Sequence, residues 1–517
     1  MSRESGAMPA DGSEAVPVAV GSALNGWRMV AVGAVLLGFL FRTVNLGAQS
    51  IWYDEAFSLL LARYGYGEIV ARTARDTMPP LYYWLLHLWG AGSPVDFYPR
   101  FLSVMAGTLS VALVYAVGKL LVDARTGAVA ALFAAVAPFQ VFYGQEVRMY
   151  ALLGLWALLA VYGFLLGWQR GSRRGWALYA LATALAVYTH ALGWLPSAAF
   201  FGWGLLTAYR TPARLAPPLL ALGAALLAYL PWLTMVLGQA RQVLTSFWAS
   251  PPSLVSPFAS LYLFFEGPFA GHSLYPAVLG LVLVGLGLTV PPMLPPKAGA
   301  DRLTLPIGQA GLSFLWAWLA LPLLALYLAS QVQSVYLERV VIGAAFPVYL
   351  LLGWVATRPW SEAPGRLGAL LGFLILLVGL WGLRNWYTDP AVGKPPQREA
   401  ARAVQAAWQP GQPVLHSSDG SLLPFLLYAP DLPNRLLDGD PEYAARTARA
   451  RSTHDALGVQ PVSRDAALKG AQRFFLVVAL DHSVEYQVGL AKEFDASYER
   501  LSEDSVGGIL VRVYARR

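Results

Sequence analysis

Long apolar segments separated by short polar loops make up most of the chain up to about residue 385. A helix needs roughly 20 mostly apolar residues to cross the hydrocarbon core of a bilayer, which is about 30 Å thick. The pattern therefore predicts a polytopic α-helical membrane protein with about eleven transmembrane helices. These helices are expected near residues 28–46, 98–118, 124–141, 149–168, 174–191, 193–209, 215–236, 273–292, 309–330, 339–356 and 366–385.

One further apolar run, at 79–92 (PPLYYWLLHLWGAG), is too short to cross the membrane. About 14 residues extend only about 21 Å as a helix, and the Pro-Pro start suits a helix that begins at the membrane interface. If this run does not cross, the loops rich in Arg and Lys all face the cytoplasm, as the positive-inside rule favours. We therefore expect a multi-pass protein of the cytoplasmic membrane with a cytoplasmic N-terminus and an extracytoplasmic C-terminal region.

Two polar regions flank the apolar pattern. Residues 1–26 are small and polar and lack the apolar core of a cleaved signal peptide, so we expect a disordered cytoplasmic N-terminus. Residues 388–517 contain strand-sized apolar runs that alternate with helical stretches, which predicts an extracytoplasmic α/β domain with a partly parallel sheet. Residues 27–387 then form the transmembrane domain, and its first outer loop (47–96) is expected to contain juxtamembrane helices.

Composition supports this class of protein. Hydrophobic residues make up 56% of the chain and charged residues only 13%, and the mean hydropathy is +0.50. The net charge of +7 comes largely from arginines in short loops, so it reflects topology and does not indicate nucleic-acid binding. The absence of cysteine excludes disulfides, thiolate metal sites and thiol nucleophiles.

Ionisable residues collect in the segments that this topology places outside. A charge at the centre of a membrane helix costs about 2.5–3.5 kcal/mol, so these groups should lie at interfaces or in cavities. Arginines are rare in short outer loops, and therefore Arg148 and Arg339 need a partner there. The outer set is Asp54, Glu55, Arg63, Arg72, Arg75, Asp76, Arg100, Glu146, Arg148, His190, Glu338 and Arg339.

Each of these groups also has a purely structural interpretation. Asp54 and Glu55 could be the first-turn acids of a helix, where carboxylates are favoured. Glu146 and Arg148 could pair with each other or with lipid headgroups. His190 could be a hydrogen-bonding residue at the interface. Arg339, at the start of the tenth predicted helix, could extend its side chain so that the charged end reaches the membrane interface. Their position on one predicted face nevertheless favours a common site.

The chemistry that suits such a face is transfer from an anionic, lipid-linked donor. A leaving phosphate needs cations where negative charge develops, and an acceptor hydroxyl needs a carboxylate within hydrogen-bond reach. Arginines bind phosphate through two parallel N–H groups. In this interpretation Asp54 accepts the proton of the acceptor.

Five short motifs occur in the order found in a known family. They are W-x-D-E at 52–55, D-x-x-P-P-L-Y-Y at 76–83, Q-E-x-R-M-Y at 145–150, Y-T-H at 188–190 and E-R at 338–339. In this order they resemble the glycosyltransferase family 39 group, which includes protein O-mannosyltransferases and the aminoarabinose transferases of lipid A, within the GT-C superfamily. Each motif is weak alone, but five in order over about residues 28–385 form a strong signal.

The resemblance implies a GT-C transmembrane catalytic domain and an inverting transfer of a hexose or pentose from a polyprenyl-phosphate-linked donor. Asp54 would be the general base, and Glu55 would support placement of the acceptor or donor. Arg148 and Arg339 would face the donor phosphate, and His190 would line the same cavity. The remaining residues expected to contact substrate are Glu146, Asp76 and Tyr82.

The same resemblance implies a reaction that is metal-independent or only weakly assisted by a divalent cation, and no metal ligand is predicted. The acceptor would be a lipid, a glycan or a protein at the bilayer surface. Two departures from the family concern sugar and acceptor identity: Met78 stands where many relatives have His, and Val340 follows Arg339 where Tyr is frequent. The alternatives are a lipid or solute transporter and a transferase that moves a whole oligosaccharide.

Overall fold

The computed structural model describes residues 18–93, 96–209, 211–246, 249–267, 274–290, 307–359, 361, 363–439, 453–480 and 484–517. It is mainly helical and ends in a small sheet domain. The predicted class, an α-helical polytopic membrane protein with a C-terminal α/β domain, is confirmed.

The helical part contains sixteen α-helices within these described residues. They are α1 (Val18–Thr43), α2 (Tyr53–Ala62), α3 (Tyr66–Thr73), α4 (Leu81–Trp89), α5 (Phe97–Leu121), α6 (Ala124–Val136), α7 (Pro138–Gly144), α8 (Tyr150–Arg170), α9 (Arg173–Thr189), α10 (Leu195–Ala208), α11 (Ala216–Ser246), α12 (Ser256–Glu266), α13 (Tyr275–Gly287), α14 (Ile307–Val332), α15 (Ala345–Ala356) and α16 (Ala363–Thr388). Two 3-10 helices, Pro212–Leu215 and Glu338–Ala344, precede α11 and α15.

Seven helical segments of the described residues are long and apolar enough to cross a membrane, or eight if a bent pair forms one span. That pair is α6 and α7, which meet at 62° where the sequence predicts one helix over 124–141. The break lies at Pro138, whose ring prevents a continuous helix. Helices α9, α10 and α13 have only 17, 14 and 13 residues. The predicted count of about eleven is therefore not confirmed.

Helix α1 begins earlier than the apolar pattern predicts. It starts at Val18, so the helix includes residues 18–26. The prediction for residues 1–17 lies outside the described residues.

The close contact of α8 and α9 depends on glycine. A Cβ atom on Gly175 would lie 2.6 Å from the backbone nitrogen of Gly167 and 2.8 Å from the carbonyl oxygen of Gly163. Small residues of this kind allow the backbones of membrane helices to approach each other directly. This contact lies near the start of α9, at the end of the helix opposite to His190.

The first outer loop contains the short helices α2, α3 and α4. Helix α4 has nine residues and follows the Pro79-Pro80 pair. Nine residues extend only about 14 Å, so α4 cannot cross a bilayer. Its predicted position at the membrane interface remains a prediction.

The sheet domain contains strands β1 (Val414–His416), β2 (Asn434–Leu436), β3 (Arg473–Ala479), β4 (Glu499–Val506) and β5 (Ile509–Ala515) in the order β2-β1-β3-β5-β4. Strand β1 pairs in parallel with β2 and β3, whereas β5 pairs antiparallel with β3 and β4. The predicted partly parallel sheet is therefore confirmed. Its helices are α17 (Gln397–Ala407), α18 (Asp419–Tyr428), α19 (Arg464–Ala467) and α20 (Val484–Ser497).

Apolar layers cover both faces of this sheet. Side chains of α17 and α18 pack on one face, and side chains of α20 pack on the other. Helix α18 also packs against α2 of the first outer loop. As a result, Leu423 and Leu457 of the sheet domain belong to the same buried cluster as Leu59 and Leu61 of α2. The two parts of the protein share one apolar core at this contact.

Candidate active site

Helix α2 presents two adjacent carboxylates in different directions. Asp54 and Glu55 both lie in its first turn, where acids are favoured by the helix dipole. Because successive residues of a helix are rotated by about 100°, the two side chains cannot share one environment. Glu55 is 0% exposed, whereas Asp54 is partly exposed. The structural interpretation of the pair as first-turn acids is correct, but it does not account for the burial of Glu55.

Glu55 lies at the centre of a buried ion cluster. Arg100 donates two hydrogen bonds to it, from Nε to Oε1 at 2.8 Å and from Nη2 to Oε2 at 2.7 Å. Lys394 Nζ lies 3.1 Å from Oε2, and the backbone N–H of Val147 donates to Oε1 at 3.0 Å. Burial alone would raise the pKa of Glu55, but Arg100, Lys394 and these hydrogen bonds lower it to about 2. Glu55 is therefore ionised and fully bonded.

Glu146 lies next to Glu55 and has fewer polar contacts than Glu55. Its Oε1 atom is 3.7 Å from Lys394 Nζ. Its backbone carbonyl accepts a hydrogen bond from Ser103 Oγ at 2.6 Å. Burial raises the pKa of Glu146 to about 7, against the opposing charge of Lys394. We refer to Glu55, Arg100, Glu146 and Lys394 as the acid cluster.

Two arginines from distant segments lie close to the ring of one tyrosine. The guanidinium carbon of Arg148 is 5.8 Å from the ring centroid of Tyr150, and that of Arg339 is 5.7 Å from the same centroid. Arg148 Nη1 also donates to the backbone carbonyl of Asp54 and to Ser58 Oγ, each at 3.2 Å. We call Arg148 and Arg339 the arginine pair. Tyr150 supplies a ring beside Arg339, which Val340 cannot.

The negative charge of Asp54 acts on both members of the arginine pair. Burial acts to lower the pKa of Arg148, but Asp54, Tyr150 and Tyr83 together raise it, Asp54 most of all, and the net pKa is well above its usual range. The charge of Asp54 also acts on Arg339. The structure therefore brings together three charged residues that are far apart in the sequence.

His190 ends α9 next to the same arginines. Its Nδ1 atom accepts a hydrogen bond from the backbone N–H of Leu192 at 3.1 Å, so the proton of the neutral ring is on Nε2. Nε2 is buried and has no hydrogen-bond partner among the described residues. Burial, followed by the charges of Arg148 and Arg339, lowers the pKa of His190 to about 4. The ring is thus a neutral N–H donor at physiological pH.

The remaining predicted residues lie around Arg148. Tyr82 and Tyr83 of α4 are buried, and burial raises the pKa of both hydroxyls while the charge of Arg148 opposes the rise. Asp76 is also buried, and its charge acts on Tyr83. All eight residues singled out from the sequence therefore lie in or beside one region.

Four residues of the site were not singled out as site residues by the sequence analysis: Arg100, Tyr83, Tyr150 and Lys394. Tyr83 and Tyr150 stand inside the motifs quoted above, so the signal for them was present. The predicted topology places Arg100 on the outer face, but no sequence pattern indicates the carboxylate that it binds. Lys394 lies in a proline-rich linker, and no local pattern distinguishes it.

The residues present do not suit a bound divalent cation. Among the described ranges, no three His, Asp or Glu side chains are grouped so that they could hold a metal ion. Glu55 is fully engaged by Arg100, Lys394 and Val147, and Glu146 also faces Lys394. A cation at these carboxylates would have to displace the positive groups that they already bind.

Comparisons with known proteins agree with the motif analysis. Residues 77–235 match the family model of dolichyl-phosphate-mannose-protein mannosyltransferases. The fold is similar to the crystal structure of apo ArnT from Cupriavidus metallidurans, with a TM-score of 0.62, 15% identity, and coverage of 95% of this chain and 98% of ArnT. The structure of the same protein bound to undecaprenyl phosphate matches with a TM-score of 0.59 and 15% identity, over 94% and 98% of the two chains.

A third similar structure is the apo form of the Archaeoglobus fulgidus oligosaccharyltransferase. It has a TM-score of 0.54 and 12% identity, and the match covers 95% of this chain and 74% of that one. No curated protein sequence matches the chain significantly. The fold is that of the GT-C glycosyltransferases, and the predicted resemblance is confirmed. At this identity the similarity establishes the fold and leaves the substrates open.

Proposed function

We propose that the protein is an inverting glycosyltransferase of the cytoplasmic membrane. It transfers a sugar from a polyprenyl-phosphate-linked donor to a hydroxyl or amine of an acceptor at the outer face. The main support for the proposal is that Asp54 lies beside the arginine pair, whose two members both contact the ring of Tyr150. A fold shared with ArnT, which has been crystallised with undecaprenyl phosphate, supports the class of donor.

In the proposed reaction the acceptor oxygen or nitrogen attacks the anomeric carbon. The bond between this carbon and the phosphate oxygen breaks, and the lipid phosphate leaves with the electron pair. Arg148 and Arg339 offset the negative charge that develops on the phosphate, and the free Nε2–H of His190 donates a hydrogen bond to it. Asp54 takes the proton of the acceptor. Attack opposite the leaving group inverts the anomeric configuration in a single step.

The contrast between the acids of α2 supports Asp54 as the base. Glu55 has a pKa of about 2, and its oxygens already accept hydrogen bonds from Arg100 and Val147. A carboxylate held in this way is too weak a base to remove a proton from a hydroxyl group. Asp54 is partly exposed and lies next to the arginine pair. We therefore assign Glu55 to the framework and Asp54 to proton transfer.

The test combines product identification with one substitution. Mass analysis of lipids and glycans from cells with and without the protein should reveal one species that gains a sugar only when the protein is present. Asp54→Asn should lower the amount of this product at least about 100-fold, since loss of a general base costs 10²–10⁴ in rate. The variant should retain the thermal stability of the wild type and its binding of undecaprenyl phosphate.

Glu68→Gln is the matched control for this substitution. Glu68 lies on α3, its side chain is 61% exposed, and the change removes one carboxylate from the same outer loop. Full product formation by Asp54→Asn would remove Asp54 from the mechanism. If no product depends on the wild-type protein, and the purified protein releases no free polyprenyl phosphate from lipid extract, the transporter alternative is preferred.

A second candidate function is the transfer of a whole oligosaccharide. The fold similarity to the Archaeoglobus fulgidus oligosaccharyltransferase favours this candidate, although the match covers 74% of that chain. The same mass analysis separates the two functions, because the mass gained by the acceptor equals either one sugar residue or several. The proposed orientation is tested by labelling single cysteines introduced at exposed positions of the sheet domain in intact cells.

A further inference from the structure

The linker between α16 and α17 reaches into the acid cluster. Lys394 lies in this linker, and its side chain is only 6% exposed. Its backbone N–H donates to Gln49 Oε1 at 3.1 Å, and its Nζ atom lies between the carboxylates of Glu55 and Glu146, at 3.1 Å and 3.7 Å. A lysine is almost never this buried unless it is paired. Lys394 is therefore part of the cluster and not a surface charge.

The start of α17 holds the segment that leads into α2. Arg398 donates to the backbone carbonyls of Gly47 at 3.2 Å and Ala48 at 2.8 Å. Ser50 Oγ donates to Glu399 Oε2 at 2.8 Å and accepts from the backbone N–H of Arg398 at 3.2 Å. Backbone and side-chain groups of 47–50 are thus bonded to residues that are distant in sequence. This arrangement fixes the direction in which α2 begins.

Other parts of the sheet domain hold the same outer loop. The hydroxyl of Tyr428 in α18 accepts a hydrogen bond from the backbone N–H of Ile51 at 2.6 Å. Tyr64 donates to the carbonyl of Leu457 at 3.3 Å, and Arg72 donates to the carbonyl of Ala456 at 2.7 Å. The sheet domain therefore contacts the outer loop both before and after α2.

From these contacts we propose that Lys394 is a positioning residue for the transfer reaction, through which the sheet domain holds Glu55, Glu146 and α2 in their arrangement. Two carboxylates that face each other repel unless a cation lies between them. Glu55 also accepts from Val147, the residue between Glu146 and Arg148, so a shift of Glu55 displaces the backbone that carries Arg148. The proposal rests on the proposed function, since its effect on rate is an effect on sugar transfer.

The experiment compares three variants of the full-length protein in detergent. Lys394→Met removes the charge and keeps the apolar stem, and Lys394→Arg keeps a charge at this position. Lys469→Met makes the same change at an exposed lysine of the sheet domain. Hydrogen exchange of 47–62, the transfer rate at saturating donor and its pH profile are measured for each.

Lys394→Met should increase exchange of 47–62 while exchange of α8 stays unchanged. Its transfer rate should fall roughly 10- to 100-fold, because displacements of about 1 Å have effects of this size. The acidic limb of the pH profile should move to higher pH. The reason is that Lys394 lowers the pKa of Glu146, so its loss raises that pKa. The other groups that interact electrostatically with Glu146 are Glu55, Asp54, Arg148 and Tyr143, and the substitution leaves all four in place.

Lys394→Arg should recover part of the rate and of the pH profile, and Lys469→Met should behave as the wild type. A role confined to stability would lower the melting temperature without moving the pH profile, and this result overturns the proposal. Unchanged exchange of 47–62 in Lys394→Met also overturns it, whatever the rate. If the wild type transfers no sugar but exchange does increase, the proposed function fails while the hold of Lys394 on α2 stands.

Discussion

The acid cluster and the arginine pair lie on adjacent sides of α2, yet they differ in how their buried charges are neutralised. In the acid cluster, both oxygens of Glu55 accept hydrogen bonds. Glu146 Oε1 and Lys394 Nζ have no hydrogen-bond partner among the described residues, but Lys394 Nζ lies 3.7 Å from Glu146 and 3.1 Å from Glu55, so that opposite charges face each other. Beside the arginine pair, Arg148 Nε, His190 Nε2 and the Tyr83 hydroxyl are buried with no hydrogen-bond partner among the described residues.

Buried polar atoms without partners are rare in folded proteins because each costs about 1–3 kcal/mol. A group of them in one place indicates a surface that is completed by a ligand. A group of charges that satisfy one another indicates a framework. On this difference we propose that the acid cluster gives structural support and that the arginine pair binds the donor, and the following predictions test that proposal.

The largest effect is expected for Glu55→Gln. This change leaves Arg100 buried without the carboxylate it binds and leaves Lys394 with Glu146 alone, and breaking a buried ion pair costs about 3–5 kcal/mol. The variant should unfold at a clearly lower temperature in detergent and should form no product. Glu68→Gln, an exposed acid of the same loop, should retain the wild-type melting temperature. Equal melting temperatures for both variants would show that the acid cluster is not a framework.

A smaller and different effect is expected for Arg148→Lys. Lysine keeps the positive charge but cannot bind a phosphate through two parallel N–H groups. The affinity for undecaprenyl phosphate should fall about 10-fold, while the melting temperature changes little. The control is Arg170→Lys, at the exposed far end of α8. Unchanged affinity in Arg148→Lys would argue that this side of α2 does not bind the donor phosphate.

The smallest effect concerns the pH dependence of stability. The pKa of Glu146 is raised in the folded protein to about 7 from its usual 4.5. A raised pKa contributes stability that is fully present below the unfolded value and is lost as the pH rises through the folded value. The free energy of unfolding of Glu146→Gln, relative to that of the wild type, should therefore be about 1 kcal/mol higher at pH 8 than at pH 6.

Thermal unfolding at pH 6, 7 and 8 measures this difference. The lowered pKa of Glu55 acts in the opposite sense, since its contribution is present above pH 4.5 and is lost only as the pH falls toward about 2. It therefore does not interfere between pH 6 and pH 8. If the difference in stability between the wild type and Glu146→Gln does not change with pH over this interval, Glu146 lies in a more polar environment than the structure shows.

Much of the fold could be predicted because hydrophobic patterning is local information. The apolar runs at 98–118 and 149–168 became α5 and α8, and the run RFFLVVAL became β3. The bend between α6 and α7 was missed because the apolar pattern continues through Pro138 without a change. Hydropathy records which residues prefer lipid, but it does not record where the backbone turns.

The candidate site could be predicted in part because its motifs lie at the ends of predicted helices. Asp54, Arg148 and Arg339 were placed on one face by topology alone, and the structure brings them together. The separate environments of Asp54 and Glu55 could not be predicted. They depend on Arg100 and on Lys394, which reaches Glu55 only through the docking of a domain that follows the last membrane helix.

The contact between Lys394 and Glu55 also has a consequence for the biogenesis of the protein. Glu55 and Arg100 emerge early in synthesis, whereas Lys394 follows Glu55 by about 340 residues, which at 5–20 residues per second corresponds to roughly 20–70 s. During that interval the nascent chain holds Glu55 and Glu146 without the cation that separates them. The acid cluster is thus completed only after all of the membrane helices that precede Lys394 have been synthesised.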